Sequence, residues 1–245
     1  MRKISVLLIA ALVFAGCDKV KVYAYDVGSA TFINASPGIS GVNPEPGMFI
    51  YVDTVMMTAS VIPYKGNTSY LKINPGTRKI EVRSSVDSVT KLFEAPNEDI
   101  VSKTGYTYLI YDTLSVVNPK LKALKLDDDL KIPPADKIKF RFINAAVNSM
   151  PLDVTFLRLS VTPNDSVTIT NQTYIGAAPV SATYSSFNYT MSSGTYMVKL
   201  KTAGTQTVQD TLRVVFPPPS CIYTFFATGS AKGLPTSVGA YRHYP

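Results

Sequence analysis

Residues 75–82 read Pro75-Gly76-Thr77-Arg78-Lys79-Ile80-Glu81-Val82, and 118 residues further on the chain reads Ser193-Gly194-Thr195-Tyr196-Met197-Val198-Lys199-Leu200. Each stretch is a glycine-bearing turn feeding a segment in which apolar and polar side chains alternate. Period-two alternation sends one set of side chains into a core and the other into water, as in an antiparallel sheet with one wet face. Two more recurrences keep the same order. Phe32-Ile33-Asn34-Ala35 returns after 110 residues as Phe142-Ile143-Asn144-Ala145, and Tyr106-Thr107-Tyr108 after 117 as Tyr223-Thr224-Phe225. Three collinear anchors indicate an internal duplication. The offsets differ, so the second copy carries a net insertion, most simply in residues 160–184.

Composition agrees with β structure. The chain has 15 Tyr, 11 Phe, 17 Pro and 14 Gly, and past residue 17 it shows no long stretch of helical periodicity. Turn signals at Asn74-Pro75-Gly76, Ser192-Ser193-Gly194, Ala203-Gly204 and Pro217-Pro218-Pro219 set the short strand spacing of a sandwich. The expected fold is all-β, two tandem immunoglobulin-like antiparallel β-sandwiches, the first over 28–136 with its linker and the second over 137–245. Tyr106 to Tyr111 and Cys221 to Phe226 are apolar on both sides. They read either as central strands or as strands covered by a neighbouring domain.

The chain opens MRKISVLLIAALVFAGC: Arg2 and Lys3, an apolar run from Ile4 to Phe14, then Ala15-Gly16-Cys17. That run is too short to span a bilayer, which takes about 18 apolar residues or more. The segment resembles the bacterial lipobox, with Phe14 where Leu is usual. The resemblance implies a leader over 1–16, cleavage before Cys17, a diacylglyceryl thioether and an N-acyl chain on Cys17, and a tether over 17–27. Two acyl chains anchor stably, at about 0.8 kcal/mol per buried methylene. An ordinary cleaved leader with an incidental Cys17 is the alternative. Asp18 is followed by Lys19 and Lys21 rather than by an acidic stretch, so the expected location is the bacterial cell envelope, at the outer membrane on its periplasmic side.

Arg2 and Lys3 leave with the leader, so the formal charge falls from +7 to +5 on a chain that is 17% charged. This is too dilute for nucleic acid. The densest basic stretch, Lys120 to Arg141, is interrupted by Asp127-Asp128-Asp129 and Asp136 and reads as a solvated linker face. With Cys17 and Cys221 as the two cysteines no disulfide framework exists, and Cys221, opening an apolar run, reads as a buried thiol.

The pattern Arg-Phe-Ile-Asn-Ala, then Gly-Thr with an alternating strand, then Tyr-Thr-Tyr, resembles a bacterial domain of unknown function of the DUF4397 type. The resemblance runs from about Ala30 to the C-terminus and is closest in Phe32-Ile33-Asn34-Ala35-Ser36-Pro37-Gly38 and Tyr51-Val52-Asp53. In the second copy Ala146-Val147-Asn148 replaces the Ser-Pro turn. The resemblance implies tandem β-sandwiches in a secreted protein or lipoprotein of a Gram-negative bacterium, and brings no catalytic residues.

No catalytic constellation emerges from the residues themselves. The one histidine, His243, stands two residues from the end and reads as solvated or merely packed. One His and one available Cys disfavour zinc, and Asp127-Asp128-Asp129 lacks the spaced order of a calcium loop, so it reads as a wet turn. Asp followed by Ser or Thr and an aliphatic residue occurs five times, ahead of Val55, Val89, Leu114, Val167 and Leu212. It resembles the acceptor motif of a periplasmic O-glycosylation system, which implies sugars on Thr54, Ser88, Thr113, Ser166 and Thr211. Turn chemistry is the competing account: Asp bonds its own backbone and a β-prone pair then enters a strand. Tyr64, Tyr70, Tyr174, Tyr184 and Tyr189 fall near loops or strand ends and are candidate binding aromatics. Tyr is equally a strand former that caps a core.

The expected function is a non-catalytic, membrane-anchored binding module for a polysaccharide or an envelope protein, with no cofactor and no metal. A structural or assembly subunit joining partners through sheet edges is the alternative, and a cleft hydrolase the third reading.

Overall fold

The computed structural model describes residues 26–39, 47–114, 120–159, 166–176, 178–217, 220–230 and 234–243. The leader and Cys17 lie outside them. The first half contains β1 (Gly28–Asn34), β2 (Gly38–Ile39), β3 (Met48–Val52), β4 (Val55–Met56), β5 (Leu71–Ile73), β6 (Gly76–Ser84), β7 (Lys91–Ile100), β8 (Gly105–Tyr111), β9 (Thr113–Leu114) and β10 (Lys122–Asp128). The second contains β11 (Lys137–Asn144), β12 (Leu152–Arg158), β13 (Ser166–Gln172), α1 (Ser181–Ser185), β14 (Tyr189–Ser192), β15 (Gly194–Thr202), β16 (Val208–Phe216), β17 (Ser220–Ser230) and β18 (Leu234–His243).

Each half is a sandwich of two four-stranded sheets. The inner sheets run β10-β8-β1-β5 and β18-β17-β11-β14, the outer ones β4-β3-β6-β7 and β13-β12-β15-β16, so the duplication extends to strand order. Most neighbours are antiparallel, as expected. The central pair of each inner sheet departs from that expectation: β1 with β8 and β11 with β17 are parallel. β1 and β8, like β11 and β17, enter this sheet from the same end, a fact about chain path that alternation does not encode. The turn glycines Gly76 and Gly194 have φ of +101° and +148°, where a side chain is strained.

Phe32, Ile50, Val82 and Tyr108 belong to the core of the first sandwich, and Phe140, Phe156, Val198 and Phe225 to that of the second. A third cluster joins the repeats. Ile33, Ala35, Leu109, Tyr111, Leu124 and Leu126 meet Ile143, Ala145, Ile175, Phe226 and Tyr241. The inner sheets therefore stack on each other, and both readings open for the doubly apolar runs hold: β8 and β17 are central strands, and a neighbouring domain covers them. Tyr106, Tyr108 and Ile110 face their own core while Leu109 and Tyr111 face the other repeat.

Equivalent positions meet at this seam, Ile33 with Ile143 and Ala35 with Ala145, as like faces do in a two-fold dimer. Where sizes diverge, neighbours compensate. Leu109 lies opposite Leu124, but its counterpart Phe226 lies opposite Gly239. A Cβ on Gly239 would stand 2.3 Å from the Phe226 ring, so glycine alone leaves the ring its place.

The insertion falls late in the expected interval. The offset of 110 still holds at Tyr64 and Tyr174, whose successors Lys65 and Ile175 donate backbone N–H groups to the carbonyls of Asn34 and Asn144. By Leu71 and Tyr189, which face Ala30 and Phe140, it is 118. The added residues include α1, which covers the edge of β10: Ser181 Oγ donates to the Lys125 carbonyl, and the Asp127 N–H donates to Ser185 Oγ at 3.2 Å.

Candidate functional site

A closed circuit of hydrogen bonds crosses the seam. Arg141 Nε donates to Thr224 Oγ1 (2.8 Å), Thr224 Oγ1 lies 2.8 Å from His243 Nε2, and His243 Nδ1 lies 2.7 Å from the Tyr70 hydroxyl. Tyr70 donates to Asp128 Oδ2 (2.6 Å), and Arg141 Nη2 closes the circuit on Asp128 Oδ1 (2.6 Å). Donor counting fixes the tautomer. Tyr70 gives its one hydrogen to Asp128, so it accepts from Nδ1–H, and Nε2 accepts from Thr224. Thr107 also donates to Asp128, at 2.7 Å, and Arg141 Nη1 donates to the Ser185 carbonyl, at 2.9 Å. Asp128 and His243 occupy equivalent places, opposite Gly105 and Ile222, and have diverged into partners.

This circuit is a weld, not a proton relay. Burial first, then the charges of Arg141 and Lys139, pull His243 down to about 2, so its ring stays neutral. Burial and the Asp128 charge push the Tyr70 phenol up. The side chains of His243 and Asp128 have no exposed area. Two expectations are corrected here: Asp128 is not in a wet turn, and Lys139 and Arg141 are buried rather than on a solvated linker face; of the two readings open for His243, the packed one holds. Asp127 and Asp129 do remain exposed. The signal in the sequence was Arg141 itself, a charge set between Phe140 and Phe142 in the body of a strand.

The candidate tyrosines do not assemble one exposed platform. Tyr64 reaches across the seam to Thr228 Oγ1 (3.4 Å), Tyr70 belongs to the circuit, and Tyr174 packs edge-on against Tyr111, with ring centroids 6.4 Å apart. Tyr184 packs against the seam cluster, and Tyr189 stacks on Phe140 in the second core. Residues 64–70 of one repeat and 174–176 and 181–185 of the other thus clasp reciprocally, and the rings are half-buried.

Thr54, Ser166 and Thr211 are exposed, Ser88 and Thr113 half-buried. Three of their aspartates make turn bonds: Asp87 accepts from the Val89 and Thr90 N–H groups, Asp112 from Thr113 and Asp210 from Thr211; Asp53 instead accepts from the Lys79 N–H, and Asp165 lies outside the described residues. Cys221 is buried, and burial pushes its thiol up. On the outer sheet Glu81 is covered by Lys79, Arg83 and Lys91. Burial alone would raise its carboxyl, but hydrogen bonds from Lys79, Lys91 and Arg83 outweigh that and hold it down to about 2. Among the described residues no group of three His, Cys, Asp or Glu comes together to hold a metal.

Open concavity appears beside the first sandwich, where residues 52–62 and 67–74 stand apart. One lobe of about 230 Å³ is lined by Val52, Val55, Met57, Lys72 and Ile73, with the Asp53–Arg78 ion pair (3.4 Å) at its side. A second of about 330 Å³ shares Met57 and adds Val61, Ile62 and Leu71. No aromatic ring lines either lobe. Val55, Met56 and Val61 are exposed along the rim. Among the described residues β5 has β1 as its one neighbour, which leaves its other edge unpaired by them beside this groove. In the second repeat β13 runs seven residues where β4 runs two, so the outer sheet there is longer at the matching edge, while β14, the counterpart of β5, is likewise an edge strand.

The family model of a domain of unknown function, DUF4397, matches residues 28–155, just over half of the chain, from β1 into β12. No curated protein matches the sequence. Among solved structures the chain is similar to a family CBM26 module, CBMbc of Amy13K from Eubacterium rectale, solved in complex with maltoheptaose. Identity is 11%, over 89% of this chain and 98% of that one, with a TM-score of 0.25. A score of that size carries nothing from that protein to this one.

Proposed function

The chain belongs to the DUF4397 family, and on that premise we propose that it is a non-catalytic binding module, anchored through an acylated Cys17 in the bacterial envelope, on the periplasmic side of the outer membrane. Its partner is a protein, received as an extended segment in the groove of the first sandwich. The groove carries this reading: aliphatic walls and an unpaired strand edge suit the side chains and backbone of a polypeptide. Sugar recognition favours flat aromatic faces, and here the tyrosines are drawn into the seam and the core. Non-catalysis is supported by the state of the two best placed ionisable groups. His243 is enclosed and neutral, and Glu81 is held ionised by three cations. Thr54, Ser88, Thr113, Ser166 and Thr211 remain proposed acceptors of sugars.

Photo-crosslinking in the native host tests the groove. A photoreactive residue replacing Met56 or Val61 on the rim is expected to give a protease-sensitive adduct, and one replacing Val215, exposed on the outer sheet of the second repeat, none. Glycan adducts at the rim, or equal yields at Val215, refute the reading.

A further inference from the structure

The two repeats point the same way. Near the starts of their inner strands Thr107 and Asp128 meet Arg141 and Thr224, and near the ends Thr228 donates to the Ala35 carbonyl. The molecule therefore has two distinct ends. The chain enters at the end where β1 begins: Asp26 pairs with Lys103 at 3.2 Å, and the Lys103 N–H donates to the Val27 carbonyl at 2.9 Å. Two large apolar side chains are open to solvent at this end, Val101 (51% exposed) in the β7–β8 turn and Ile132 (63%) after β10. The segment after β10 lies against that turn, since Leu130 would stand 3.1 Å from a Cβ on Gly105. Lys103 and Lys131 are next in line to them, both exposed.

Nine residues, Cys17 to Tyr25, precede Asp26, and fully extended they span at most about 30 Å. An anchor on Cys17 therefore holds this end nearer the membrane, on average, than the opposite one. We infer that it rests on an anionic lipid bilayer, with Val101 and Ile132 among the headgroups and the Lys131 ammonium group against the phosphates. The inference rests on the anchoring proposed above. Val86 in the β6–β7 turn and Met150 in the β11–β12 turn, also exposed, lie at the opposite end. The nine residues of β6 put them about 30 Å away.

Full-length protein acylated in its host is reconstituted into vesicles of phosphatidylglycerol and phosphatidylcholine, with a fluorophore on Val101→Cys, Ile132→Cys, Val86→Cys or Met150→Cys and headgroup spin labels as quencher. Acylation blocks Cys17 and burial shields Cys221. Flotation of the vesicles reads anchoring, and quenching reads orientation. Quenching several-fold stronger at 101 and 132 than at 86 and 150 is the expected result. Flotation with equal quenching at all four sites, or none, overturns the orientation alone. Failure to float overturns the anchoring and the inference with it.

Discussion

Replacing Arg141 by methionine keeps most of the apolar stem and removes the guanidinium that bonds Thr224 and Ser185 in its own repeat and Asp128 across the seam. Arg141 is 2% exposed and the Asp128 side chain has no exposed area, so the stranded carboxylate cannot turn to water. It keeps the Tyr70 and Thr107 hydroxyls, which do not replace a cation. Removing one member of a buried pair costs about 3–5 kcal/mol, a large share of the roughly 5–15 kcal/mol that holds a folded protein together. Urea denaturation measures the loss as a lower midpoint. Asp128→Asn added to Arg141→Met removes the stranded charge, so the double variant is expected to be less destabilised than the sum of the two single changes. A cost for Arg141→Met below about 1 kcal/mol, the range of an exposed pair, or strict additivity of the two changes, refutes the weld.

Acid sensitivity follows from His243. Its folded pKa lies near 2 against an ordinary 6.5, so below pH 6.5 the unfolded chain takes up a proton that the folded one refuses. Stability is full above pH 6.5 and falls as pH drops toward 2, by up to about tenfold in the folding equilibrium per unit. Glu81, depressed from 4.5 to about 2, adds a loss of the same sign only below pH 4.5. Denaturant midpoints between pH 6.5 and 4.5 therefore isolate the histidine, and a flat profile there contradicts its burial as a neutral ring. The intact mass of protein from the native host is expected to exceed that of the chain from Cys17 by its lipid and by sugars. Additional sugar-sized increments report modification at Thr54, Ser88, Thr113, Ser166 or Thr211, a mass explained by lipid alone excludes it, and absence of lipid removes the anchor.

Local pattern carried much of the fold. Alternation at Ile80 and Val82 and the glycines before Thr77 and Thr195 are short-range consequences of pleat and turn, which any strand of that sequence obeys. The repeat was legible because duplicated structure keeps its side chains in order. The candidate tyrosines were less legible, since a half-buried Tyr at a strand end looks the same whether it faces solvent or a second domain. The groove left no mark at all. It depends on β4 being two residues long and on how far residues 52–62 stand from 67–74.

By itself the sequence determined that the chain is a duplicated β protein with strands apolar on both faces, because the periodicity of side chains along a strand is written one residue at a time. Only the tertiary structure decided what covers those second faces. Asp128 and His243 are separated by more than a hundred residues and read as turn and tail. Their meanings come from stacking the two inner sheets, which shuts out water and makes each buried polar group depend on a partner from the other repeat.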